Sequence, residues 1–297
     1  MNCWCTEPFR LPEYDKWSAL LIATCLFVTP SQATTLVVVV TKHGIVMAAD
    51  GKAVTLHPNQ RIPNGTSVVR KIRLAQGRII WGAAGLERAA NGKVVAYDFN
   101  RFSDAVETRI PPGASILEAS ELIREELARA FAGFDVMLRS GTFTPEDAKS
   151  GNGLIRYFIA GYEAGAPKVF RIDIDIDWGN KHLEEPKLIP VYPGGCQRKN
   201  LSTCGAGPDI FKTLKDTRSI YFKWAVYRTP LEMHGLLNDR DISLQQSLRL
   251  ARVLVEVGIE FDASAVGMPI TAIAITPNGS HRAFVYHERL TDVCAHK

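Results

Sequence analysis

The chain has 297 residues, of which 46% are hydrophobic and 22% charged, enough to bury a sizeable core and too apolar for an intrinsically disordered protein. Its 35 basic and 31 acidic residues leave a formal charge of +4, and they are scattered without like-charge runs or basic residues interleaved with aromatics, so no nucleic-acid partner is expected. The six cysteines are split unevenly, with Cys3, Cys5 and Cys25 in the first 33 residues and Cys196, Cys204 and Cys294 in the rest.

The first 33 residues read as a leader. Ser18 to Thr29 is an apolar run of 12 residues, short of the roughly 20 needed to span a bilayer as a helix but suited to the apolar core of a secretory signal peptide. Ser31 and Ala33 supply the small residues before a cleavage point, so that Thr34 becomes the first residue of the mature chain. The segment before the run is atypical, with Arg10 and Lys16 against Glu7, Glu13 and Asp15. Lipidation at Cys25 and an uncleaved anchor stand as the alternatives. With the leader removed, no stable membrane span is expected, and residues 34–297 are read as one exported domain, periplasmic or secreted. Export makes a Cys196–Cys204 disulfide one reading of the remaining cysteines, with three unpaired thiols as the other.

Ala33 to Lys52 reads as a tight hairpin, with Thr35 to Thr41 β-branched and apolar, Lys42-His43-Gly44 as the turn and Ile45 to Ala49 returning. Centring the turn on His43 pairs Asp50 with Leu36 and Lys52 with Thr34, a register that a one-residue slip would invert. Ala53 to Gly65 is a polar loop. A second hairpin, Ser67 to Ala75 and Arg78 to Ala83, turns at Gln76-Gly77. Gly82-Ala83-Ala84-Gly85 then leads into Leu86 to Ala90, whose composition predicts a helix start.

Ser115 and Glu118 form a capping box ahead of Ile116, Ala119, Ile123, Leu127, Ala130 and Phe134 at helical spacing. Leu154 to Tyr162 and Lys168 to Asp177 read as paired strands around Glu163 to Pro167. Pro208 opens a predicted helix reaching about Tyr227, and Ser243 with Gln246 caps another through Ile259. Pro269 to Thr276 and His281 to Glu288 are the closing strands. Strands and helices come in runs, without βαβ alternation, which indicates a layered α+β fold.

Thr34-Thr35-Leu36, the apolar strand, Gly44, Ile45 to Asp50, then Lys71-Ile72 and Gly82-Ala83-Ala84-Gly85, together resemble proteasome β subunits, which are N-terminal-nucleophile (Ntn) hydrolases, here in a bacterial-type exported form. Gly161-Tyr162, Gly205-Ala206-Gly207 and Asp262 with Gly267 resemble later segments of that family. The resemblance implies a four-layer αββα sandwich of the Ntn-hydrolase type and a threonine-type peptidase acting on peptide or protein substrates. Thr34 would be the nucleophile and its own α-amine the base; an α-amine has a pKa near about 8 against about 10.4 for a lysine side chain, so it can be neutral at ordinary pH. Lys71 would be the neighbouring cation, Asp50 its orienting carboxylate and the Gly85 N–H, at a helix start, the oxyanion donor. Asp262 is carried over with this set. The resemblance implies no cofactor and no metal, and a homo-oligomeric ring as the assembly.

Three features depart from the family. Ala206 and Ala265 stand where it commonly has serines that support the terminal amine, with Ser264 adjacent, and Lys52 stands where it often has arginine. Ala33 rather than glycine precedes the nucleophile, which points to a signal peptidase rather than self-cleavage. Two other readings therefore stay open, an amidase on small amides and a catalytically silent binding subunit.

Other motifs lead nowhere. Asp173, Asp175, Asp177 and Glu184 have the spacing of a calcium loop, but Trp178 replaces the required glycine, and alternation with isoleucines reads as a strand with one wet face. Gly85 to Lys93 lacks phosphate-loop spacing, the histidines lack metal spacing, and no G-x-S-x-G is present.

Overall fold

The computed structural model describes residues 34–54, 66–68, 70–86, 88–91, 94–145, 153–206, 216–261 and 266–289. At its centre is the hairpin of β1 (Leu36–Thr41) and β2 (Gly44–Asp50). Thr41 pairs with Gly44 and Leu36 with Ala49, so the turn is the two residues Lys42 and His43 and the register is one residue away from that expected. Asp50 consequently stands opposite Thr35, and its N–H donates to the Thr35 carbonyl at 3.2 Å. Gly44 belongs to the strand rather than the turn, and a Cβ there would lie 2.7 Å from the Ile275 carbonyl oxygen.

The run Leu36 to Val40 is apolar throughout because both faces of its strand are covered. Val37 and Val39, with Val46 and Ala48 of β2, pack against Leu250, Leu254 and Val257 of a long helix, α6 (Leu244–Phe261). Leu36 and Val38, with Met47, face Ile72, Ile80 and Phe158 of a second sheet. The first sheet has five strands, in the order β13 (Leu201–Ala206), β1, β2, β14 (Ile270–Ile275), β15 (His281–Tyr286). The second runs β11 (His182–Leu183), β10 (Ala166–Asp177), β9 (Gly153–Glu163), β6 (Ile79–Gly85), β5 (Ile72–Ala75), with β12 (Lys187–Tyr192) also on β10. A third cluster fills the other face of this sheet, where Trp81, Tyr157 and Ile159 meet the helices α1 (Phe99–Arg109), α2 (Ile116–Ala130) and α3 (Phe134–Arg139).

The four-layer αββα sandwich implied by the resemblance is corrected. The described fold is mixed α+β dominated by two antiparallel sheets, with six helices among the described residues, of which α3, α4 (Ile220–Arg228) and α5 (Pro230–Asn238) have nine residues or fewer. The helix expected directly after Gly85 is not formed. Arg88–Asn91 is strand β7, paired with β8 (Val94–Asp98) in a two-stranded ribbon. Leu86 to Ala90 has helix-favouring composition, but propensity is a weak prior, and here pairing with the β-branched Val94-Val95 segment overrides it.

Elsewhere the local signals hold. Ser115 and Glu118 exchange both capping-box hydrogen bonds at the start of α2, and Ser243 and Gln246 do so before α6. Gln76 and Gly77, both at positive φ, close the β5–β6 turn. The strands predicted around Glu163 to Pro167 are β9 and β10, and Asp173, Asp175 and Asp177 alternate in β10 with buried Ile172, Ile174 and Ile176. Of the helix predicted from Pro208, residues 208–215 lie outside the described part, residues 217 and 218 form a turn, and α4 begins after its Ser219 cap. Cys196 and Cys204 are joined in a disulfide with a Cα–Cα distance of 5.8 Å. It ties the segment after β12, in the second sheet, to β13, at the edge of the first.

Candidate active site

Thr34, Asp50 and Lys71 meet at the open end of the central hairpin, all three buried. Each arrives by a different local route. Thr34 precedes β1, Asp50 ends β2, and Lys71 precedes β5 in the facing sheet. Lys71 Nζ donates to Thr34 Oγ1 at 3.1 Å, to Asp50 Oδ2 at 3.0 Å and to the Lys52 carbonyl at 2.6 Å. An ammonium has three N–H bonds, and each has an acceptor here.

Asp50 is held just as fully. Its Oδ1 accepts from the Thr35 N–H at 2.9 Å; Oδ2 accepts from the N–H groups of Lys52 and Gly267, both at 3.3 Å, besides Lys71. Burial pushes its carboxyl above the ordinary carboxylate range, while the Lys71 ammonium and the Thr35 and Gly267 N–H groups pull the other way. The pair is thus a buried charge couple in which Lys71 also reaches the Thr34 hydroxyl, the geometry in which removing one partner is costly.

Glycines let these backbones approach. A Cβ on Gly82 would stand 2.7 Å from the Lys71 carbonyl oxygen and 2.8 Å from Leu36 Cδ1, so Gly82 lets the strand of Lys71 and the first sheet close together. The Ala83 N–H donates to that Lys71 carbonyl at 3.3 Å. Gly267, whose N–H reaches Asp50, lies against the Lys52 side chain, with a Cβ there 2.9 Å from Lys52 Cδ.

Two expected members stand differently. Gly85 ends β6, at φ +113° and with no room for a Cβ beside the Leu154 carbonyl at 2.5 Å; no helix begins there, so the helix-terminus part of its oxyanion role is corrected. Asp262 lies outside the described residues, as do Ser264 and Ala265. Ala206 is buried at the end of β13 opposite Leu36, two residues along β1 from Thr34, and supplies no hydroxyl there.

Sequence reasoning missed the Thr35 N–H and the Lys52 carbonyl as partners. The first was legible in principle, because a turn limited to Lys42-His43 places Asp50 beside Thr35. The second, a backbone atom, carries no residue-type signal. Among the described residues no group of His, Cys, Asp and Glu is arranged to hold a metal ion, and no helix is long and apolar enough to cross a membrane.

Searched against protein-family models and against curated proteins, the chain matches none.

Proposed function

We propose that the chain, cut between Ala33 and Thr34, is an exported threonine-type endopeptidase with the chemistry of an N-terminal-nucleophile hydrolase. The observation that carries this reading is the Lys71 ammonium, 3.1 Å from Thr34 Oγ1 and 3.0 Å from Asp50 Oδ2, in a buried site. A buried cation beside a hydroxyl favours its ionised form and disfavours protonation of an adjacent amine. The Thr34 hydroxyl attacks the substrate carbonyl, its proton passes to the α-amine, and the same amine then protonates the leaving nitrogen; water releases the acyl group from Thr34. Asp50 keeps Lys71 in place and offsets its charge. The Cys196–Cys204 disulfide supports the exported location, since such bonds persist in oxidising compartments.

One observation favours a second reading. Ala206 is a methyl group buried near the site, where a hydroxyl would support the amine, which fits a catalytically silent binding subunit. A single preparation separates the two readings. The exported protein is sequenced from its N-terminus and assayed on a peptide library beside Thr34→Ala. A mature chain starting at Thr34 with turnover lost in the variant supports the peptidase; a different N-terminus, or turnover that survives Thr34→Ala, removes it.

A further inference from the structure

Thr35, the residue after the nucleophile, is entirely buried and held from two sides. Its N–H donates to Asp50 Oδ1 at 2.9 Å and its carbonyl accepts from the Asp50 N–H at 3.2 Å, so its backbone is fixed to the carboxylate that orients Lys71. Its side chain points the other way, into α6, at Gly258. A Cβ placed on Gly258 would stand 2.2 Å from Thr35 Oγ1, 2.9 Å from Thr35 Cβ and 3.0 Å from Thr35 Cγ2.

Gly258 is not among the glycines at positive φ, so the backbone conformation does not demand glycine there. It lies within α6, where alanine is the better helix former. Its neighbours Val257 and Ile259 are buried, as is most of the helix around it. The missing methyl group therefore has a steric explanation: the Thr35 side chain occupies the space. Thr35 Oγ1 has no hydrogen-bond partner among the described residues, so the fit is one of shape rather than of polar bonding.

We propose that Gly258 is a positioning residue for the Thr34 hydroxyl, acting as a seat for Thr35. This rests on the proposed threonine chemistry only for its consequence in turnover; the geometric claim stands apart from it. Filling the seat pushes Thr35 away from α6 and toward Asp50. Because Thr34 is the next residue, its Oγ1 moves relative to Lys71 Nζ, and a displacement of about 1 Å at a reacting group can cost about a hundredfold in rate. The displacement acts on the reacting hydroxyl, so the loss is expected to fall on kcat and to leave KM near its starting value.

The test compares Gly258→Ala with the wild type and with the double variant Gly258→Ala/Thr35→Ala, which removes the atoms at 2.2 and 3.0 Å from the added methyl. Expected are a fall in kcat of about a hundredfold with KM unchanged in the single variant, recovery of at least about tenfold in the double, and a crystal structure of the single variant with Thr34 Oγ1 out of hydrogen-bond reach of Lys71 Nζ. Should the single variant fail to fold, folding of the double variant supports the seat and its failure overturns it. A wild-type kcat in the single variant, or a retained Oγ1–Nζ distance with a higher melting temperature from the better helix former, overturns the proposal. If wild-type turnover is absent or survives Thr34→Ala, the peptidase reading fails, and the crystallographic distance alone decides the seat.

Discussion

The two ends of the central hairpin carry the same kinds of charge in opposite surroundings. At the turn, Lys42 and His43 both meet Asp241, with the Lys42 side chain 68% exposed. At the open end, Lys71 and Asp50 form their ion pair with side chains 1% and 0% exposed. Water screens the first, whereas the second has no solvent to fall back on and must satisfy every polar atom internally. The turn end is therefore replaceable, while losing one of the two buried charges at the open end is costly. The contrast also bears on the proposed chemistry, because a charge beside a hydroxyl changes its reactivity most where water is excluded.

The largest expected effect lies at Thr34, the proposed nucleophile. Thr34→Ala is expected to lower turnover by more than about 10^3-fold while leaving the fold intact, read by peptide hydrolysis beside circular dichroism. Next come the buried partners. Lys71→Ala and Asp50→Ala each leave an unpaired buried charge and are expected to cost roughly 3–5 kcal/mol in urea unfolding, whereas Lys71→Met with Asp50→Asn should cost clearly less than the two single losses combined. Equal additive costs would show that the pair is not a closed unit. Reducing the Cys196–Cys204 bond, which closes a segment with a sequence separation of 8, should cost about 2–3 kcal/mol, measured by denaturation with and without reductant. The smallest effect belongs to the turn: Lys42→Ala should change stability by no more than about 0.5 kcal/mol, and less in high salt.

Acid and base separate the two ends as well. At the turn, burial alone would raise the Asp241 carboxyl, but bonds from Lys42 and His43 carry it below its ordinary value. A lowered folded pKa contributes stability that is present above the unfolded value and lost as pH falls through the folded one, so the Asp241 contribution is lost in acid. The same sign holds for Asp239, which burial would raise but which the N–H groups of Leu201, Asn200 and Lys199 hold down. Asp50 runs opposite. Its raised carboxyl favours the protonated form in the fold, so its own contribution to stability declines as pH rises through the folded value. Turnover should rise with pH along the titration of the Thr34 amine, with a midpoint below the ordinary value of about 8 because the Lys71 cation disfavours the charged amine. A pH–rate profile that falls over this range would contradict the amine as base.

Much of the fold could be read locally. The capping boxes at Ser115 and Ser243, the Gln76-Gly77 turn and the strand pair around Ala164-Gly165 depend on side chains within a few residues of one another, and they form as expected. What failed depended on distant partners. The segment after Gly85 has a helix-former's composition, but Arg88–Asn91 pairs in a strand ribbon, and the hairpin register differs by one because Gly44 pairs with Thr41 in the strand rather than joining the turn.

At the site itself, the resemblance to proteasome β subunits names Thr34, Asp50 and Lys71, whereas hairpin spacing alone sets Lys52, not Lys71, opposite Thr34. Their convergence was decided by tertiary structure alone. Lys71 reaches Thr34 because a second sheet brings it across a space that Gly82 keeps narrow, and Thr35 is held between Asp50 and Gly258, residues 15 positions after it and in the final turn of α6. Packing distances of this kind leave no mark in the local sequence, since a glycine reads alike whether it marks a turn or makes room for a neighbour.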